Sequence, residues 1–152
     1  MWTYSSLLLR SFSVLAITVA LGGCVANRAG NLSLSREVAD QSTYYVERQP
    51  KDERNLAATI AERMQARGLK ATAEQAGAPR PQCDYVVSYT DKWMWDMRMY
   101  LYDLRIDLRD AKDQSVVGFG QSMQSSLEAM GKSYEDIIDI ALNELFSSGK
   151  QP

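Results

Sequence analysis

Two runs of alternating side chains constrain this fold more than any other feature. In the first, Tyr85, Val87, Tyr89, Trp93 and Trp95 alternate with Val86, Ser88, Thr90, Lys92 and Met94. In the second, Tyr100, Tyr102, Leu104, Ile106 and Leu108 alternate with Leu101, Asp103, Arg105, Asp107 and Arg109. A period of two is the mark of a strand with one face buried. Laid antiparallel with Trp95 opposite Tyr100, the runs put Trp93 against Tyr102, Tyr89 against Ile106 and Val87 against Leu108. The other face then carries Lys92 opposite Asp103, Thr90 opposite Arg105 and Ser88 opposite Asp107. A one-residue slip would mix the two faces, so the register is strongly specified.

The same test extends to a third strand. The turn Ala111-Lys112-Asp113-Gln114 sets Asp110 against Ser115. Leu108 is then expected opposite Val117, Ile106 opposite Phe119 and Tyr102 opposite Met123. Gly118 and Gly120 fall on the polar side, opposite Asp107 and Arg105. They read as strand positions that omit a side chain for the close approach of another backbone or a long Arg. Residues 84–124 thus read as a three-stranded meander.

Shorter elements flank it. Thr43–Arg48 reads as a strand by its β-branched and aromatic content. Leu56, Ala57, Ile60, Ala61 and Met64 share one helical face, with Asp52 as N-cap. Gly68 stands at the C′ position and Leu69 beyond it, as in a Schellman ending, so this helix spans about 53–67. Leu69–Ala73 reads as a second short strand, and so compact a strand–helix–strand unit implies parallel pairing. Glu74–Gln82 is a loop. Ser133 caps a last helix, with Asp136 at the capping-box position and Tyr134, Ile137, Ile138, Ala141, Leu142, Leu145 and Phe146 on one face. The expected fold is α+β: a two-layer sandwich with a mixed five-stranded sheet, order β-α-β-β-β-β-α, and two helices on one face. This single domain spans 43–148.

Composition removes several function classes. The 152 residues include no His, which excludes His-dependent triads and His-containing metal sites. Two Cys make neither a four-thiolate zinc site nor a disulfide framework. A formal charge of −2 leaves no basic footprint for nucleic acid.

The N-terminus reads as a targeting segment. Residues 1–23 hold one charge, Arg10, and an apolar run from Ser11 to Gly23 that is too short to span a bilayer. The run ends in Leu21-Gly22-Gly23-Cys24, which resembles a bacterial lipobox. The resemblance implies lipidation of Cys24, cleavage before it, and a mature chain beginning there. Val25 at the next position implies the outer membrane by likeness to sorted lipoproteins. Residues 24–42 are expected to be the lipidated Cys and a flexible tether with a reach of roughly 20–25 Å.

Candidate sites are few. Tyr85, Tyr89, Trp93, Trp95, Tyr100 and Tyr102, with Met94, Met97 and Met99, could form a ligand patch, although register places the aromatic rings on the core face. The hairpin end at Trp93, Trp95, Met97 and Tyr100 can instead project past the helices and stand exposed. Asp91 falls on the apolar face opposite Leu104, where an unpaired carboxylate is costly. A bulge at Thr90–Lys92 turns it out, or Gln121 and a Tyr hydroxyl satisfy it, or it marks a site. Asp103, Arg105, Asp107 and Arg109 read as a solvated face of cross-strand pairs. Cys83 has no His to activate it and no second Cys in the domain. No residue is assigned a catalytic or metal-binding role, and no cofactor is expected.

Taken together, the lipobox, Tyr44-Tyr45-Val46, Arg67-Gly68-Leu69, Cys83-Asp84-Tyr85-Val86-Val87, Trp93-Met94-Trp95-Asp96, the Tyr100–Leu108 strand and a final helix ending in Leu145-Phe146 resemble small bacterial envelope lipoproteins with a domain of unknown function. In layout they are more remotely similar to outer-membrane assembly lipoproteins. The resemblance implies a non-enzymatic binding or assembly module in the periplasm, held to the membrane by its lipid, with an envelope protein as partner and no nucleic acid. The alternatives are a binder of a small lipid or glycan, in a cavity near Asp91 and Gln121, and a hydrolase.

Overall fold

The computed structural model describes residues 27–75 and 77–147. The signal segment and Cys24 lie outside the described residues. The chain builds strand β1 (Asn27–Leu32), helix α1 (Arg36–Gln41), β2 (Thr43–Val46), α2 (Leu56–Gln65), β3 (Lys70–Ala73), β4 (Tyr85–Asp96), β5 (Arg98–Asp110), β6 (Val116–Met123), α3 (Ser126–Gly131) and α4 (Tyr134–Ser147). One mixed six-stranded sheet runs in the order β1-β6-β5-β4-β2-β3. The fold is α+β, and the two long helices share one face of the sheet. Their buried residues, Leu56, Ile60 and Met64 from α2 and Ile137, Ile138, Leu142 and Leu145 from α4, join one core with Val87, Leu104, Ile106 and Leu108.

The sequence expectation of five strands and a tether over 24–42 is corrected here. Residues 27–32 form an edge strand, pairing antiparallel with β6 from Asn27 opposite Met123 to Leu32 opposite Gly118. Residues 36–41 form a helix capped by Ser35. The polar, glycine-containing text of β1 hid it, because its only deeply buried side chain is Leu32. The sheet therefore takes in residues 27–32, ahead of the start expected at 43.

The local endings of α2 and α4 follow the sequence closely. Gly68 takes a positive φ of 84°. Its N–H donates to the Gln65 carbonyl, and the Leu69 N–H donates to the Met64 carbonyl, which is the Schellman pattern. Ser133 and Asp136 exchange the two bonds of a capping box at 3.2 and 2.9 Å. The start of α2 differs. Asn55 sits in the left-handed region, and the helix begins at Leu56 rather than 53. Asp52 caps it from the preceding loop, accepting from the N–H groups of Leu56 and Ala57 at 2.8 and 3.0 Å.

The β4–β5 register matches expectation from Tyr85 opposite Asp110 to Lys92 opposite Asp103, then shifts. Trp93 faces Leu101 rather than Tyr102, and Trp95 faces Met99 rather than Tyr100. Tyr102 is the extra residue of this bulge. A second shift lies between Leu108 and Arg109, so Leu108 faces Gly118 and Ile106 faces Gly120. Gly118 and Gly120 therefore lie on the core face, not the polar one, and Phe119 lies outside under Arg105, whose guanidinium carbon is 4.2 Å from the ring centre.

Those glycines have a packing reason. A Cβ on Gly120 would land inside contact distance of the Ala141 carbonyl and the Leu145 backbone, and one on Gly30 would meet the Glu144 carbonyl. Gly30 and Gly120 face each other across the β1–β6 pair. Helix α4 thus lies directly on backbone. The helices are also joined to each other: Arg63 and Arg67 of α2 both bind the carboxylate of Asp139 on α4, Arg67 at 2.7 Å. Burial works to raise the Asp139 pKa, but the bonds from Arg63 and Arg67 outweigh it and hold the carboxyl below its ordinary value.

Two outcomes follow from this packing. Gly120→Ala forces α4 off the sheet and should cost about 1–3 kcal/mol in urea unfolding. Gly131→Ala, where a methyl meets nothing within 4 Å, should cost none. For pH, a carboxyl with a lowered folded pKa contributes fully above its unfolded value and loses that contribution as pH falls through the folded one. Thermal stability should therefore be flat from pH 7 to about 5 and fall below about 4. Asp139→Asn should lower the plateau and reduce the acid loss, the remainder coming from Asp52, Asp84, Asp113 and Asp136, which are also lowered.

Candidate functional site

The β4–β5 hairpin is the longest in the sheet, and its end leaves the body of the fold. Asp96 and Arg98 pair across it, with Met97 alone at the turn at a φ of 61°. A non-glycine residue at positive φ is uncommon, and here it closes the tightest connection between two long strands. Met97 is 92% exposed and Trp95 71% exposed. Met94 and Met99 flank them, each more than two-fifths exposed. Four large apolar side chains within six residues make this the densest exposed apolar patch among the described residues.

Just below the tip, Trp93 and Asp91 answer each other. The Trp93 indole N–H donates to the Asp91 carboxylate at 2.6 Å. Arg54 covers the same ring, its guanidinium carbon 4.1 Å from the ring centre, and Tyr134 approaches it at 6.5 Å. The indole takes up the carboxylate that strict alternation left on the apolar face. Gln121 takes no part in this: it donates to Asp103 on the opposite face. Asp91 pairs with Leu104 and Gln121 with Arg105, so the two lie on opposite sides of the sheet and enclose no shared cavity.

The expected site residues therefore divide. Trp95 and Met97 stand exposed at the tip, Trp93 and Asp91 form a braced shoulder, and Tyr100 is buried at 4% exposure. Tyr100 leaves the patch because the bulge at Tyr102 turns it to the face opposite Leu101, a core residue.

The charged face is less solvated than its composition suggests. Lys92 and Asp103 pair in register at 3.0 Å, with Asp103 4% exposed and Gln121 on its other oxygen. Arg105 holds Asp107 at 2.7 Å. Asp52 is also buried; besides its two cap bonds it accepts the Tyr89 hydroxyl at 2.8 Å. Burial first, and then that bond, push the Tyr89 hydroxyl far above its ordinary value. Each of these carboxylates is tied to a helix end, a cation or an indole. Among the described residues, no group of three or more His, Cys, Asp or Glu could hold a metal. Cys83 is a half-buried free thiol near Arg80.

A groove of about 410 Å³ opens at the opposite end of the sheet, where Leu32, Leu34, Leu69 and Phe146 meet Arg36 and Arg67. Sequence reasoning could not find it, because two of its walls belong to the segment read as tether. The signal that was present is Ser35 followed by Val38, a cap before an apolar residue. No described helix is long and apolar enough to cross a membrane.

No family model matches the chain, and no curated protein does. Solved structures of PelC from Paraburkholderia phytofirmans share the fold. A single-substitution variant solved as a dodecamer superposes with a TM-score of 0.58 at 13% identity, covering 84% of this chain and 100% of that one. A second PelC dodecamer gives 0.56 at 14% identity, covering 80% and 98%. At these identities the likeness is one of fold.

The two tryptophans should separate in stability measurements. Trp93→Ala removes a half-buried hydrogen bond, a cation–π contact and packing, and should cost on the order of 2 kcal/mol in urea unfolding. Trp95→Ala should stay within about 0.5 kcal/mol of the parent. Equal losses would show that the tip is part of the core.

Proposed function

We propose that this protein is an outer-membrane lipoprotein, anchored through Cys24, whose periplasmic domain is a non-enzymatic assembly module that works as an oligomer or with an envelope protein partner. The observation that carries the reading is the fold-likeness to chains solved as dodecamers. Two further features support it. Among the described residues the sheet ends in two edges, β1 and β3, each hydrogen-bonded on one side only, and unpaired edges are templates for association. The hairpin tip offers exposed Trp and Met, residue types enriched where proteins bind one another. The anchor rests on the apolar run ending in Leu21-Gly22-Gly23-Cys24.

Native mass spectrometry of the detergent-extracted protein tests both halves. The expected spectrum shows a protomer beginning at Cys24 with added acyl mass, in a discrete assembly of several copies or with a second protein. An unmodified Cys24, or cleavage elsewhere, overturns the anchor. A bare monomer at tens of micromolar overturns the assembly.

A further inference from the structure

Two placements meet at one end of the sheet. Asn27 pairs with Met123, Met123 with Asp103, and Asp103 with Lys92, so these four residues form one row across the sheet. Strand β1 runs away from that row toward Leu32, so the chain before Asn27 arrives at the row. Cys24 is three residues earlier, and three residues reach at most about 10 Å. Strands β4 and β5 cross the same row and continue outward to Met97, five residues beyond Lys92, or about 16 Å at the rise of a strand. The tip thus projects from the edge where the lipid would be attached, and somewhat farther than three residues of chain can extend. The short helix bearing Leu127, 82% exposed, starts just past Met123 at this edge.

We propose that the Met94–Met99 tip is a membrane-contact site, seated in the headgroup and acyl boundary of the bilayer that holds the Cys24 lipid. The proposal rests on the lipoprotein reading above. With no tether to hold the domain away, an acylated Cys24 brings the bilayer surface within reach of the tip. The residues there suit that boundary. Trp95 is an amphipathic ring of the kind enriched at membrane interfaces. Met94, Met97 and Met99 are flexible and apolar, and Arg98 beside Met97 supplies a cation for phosphate headgroups. The lipid and the tip make two separate attachments, and two attachments fix the orientation of the domain where one would let it swivel.

The mature chain expected from cleavage at Cys24 keeps two tryptophans, Trp93 and Trp95, which makes the test direct. The acylated protein is reconstituted in phosphatidylcholine–phosphatidylglycerol vesicles, with and without phosphatidylcholine brominated on its acyl chains. In Trp93→Phe, the remaining Trp95 emission should be quenched about two-fold by the brominated lipid, as for a ring in the interfacial region. In Trp95→Phe, Trp93 under Arg54 should be quenched much less. Circular dichroism confirms that both variants fold. The N-terminal mass is measured on the same sample. Acylated Cys24 with unquenched Trp95 overturns the membrane-contact site alone. Trp95 shielded from iodide in detergent only at high protein concentration makes the tip a contact between copies and also overturns it. Unacylated Cys24 overturns the lipoprotein reading and this inference with it.

Discussion

Everything else in this domain depends on a helix resting on bare backbone. Helix α4 approaches strands β1 and β6 at Gly30 and Gly120, where a single added methyl would meet its carbonyls. That closeness lets Ile137, Ile138, Leu142 and Leu145 reach the layer of Leu104, Ile106 and Leu108. It also sets where α2 can lie, since Arg63 and Arg67 must reach Asp139. A wider spacing would leave voids in an interior that is otherwise close-packed. The edge strand β1, weak in propensity and nearly without buried side chains, is paired along its length with β6 and supplies one of the glycines that admit the helix.

Legibility in the sequence followed the strength of each local signal. The β4–β5 register was readable to Lys92 and Asp103 because both faces enforce it, and a slip would bury charge. It failed above that point because a bulge inserts one residue, Tyr102, and alternation carries no warning of an insertion. The β5–β6 register failed for a related reason. Matching Val117 and Phe119 to the core looked favourable as hydrophobic bookkeeping, yet the helix needed the glycines there instead. Close approach of a backbone was one of the two roles legible for those glycines, beside room for a long Arg; the face they occupy was not legible. Strand β1 was missed because its contribution is the absence of side chains, which composition reads as a linker.

The candidate site shows the same division. Exposure at Trp95 and Met97 followed from the hairpin outrunning the helices, a matter of length. The solution for Asp91 did not follow, since its partner lies two residues away on the same strand, where a search across the strands does not look. Arg54 over Trp93 joins a loop to a strand far along the chain, a contact no local pattern encodes.

The strand order has a consequence for symmetry. The two rims of the sheet are unlike: β1 pairs antiparallel with its neighbour and β3 pairs parallel with its own. A contact that joins the β1 rim of one copy to the β3 rim of another leaves a free rim of each kind at the ends. Such head-to-tail addition has no internal stop. It ends only when the rotation per step closes a ring, and otherwise runs on as a filament. The number of copies in a closed assembly of this type would then be fixed by the twist between neighbouring sheets, an angle, and not by the strength of any one contact.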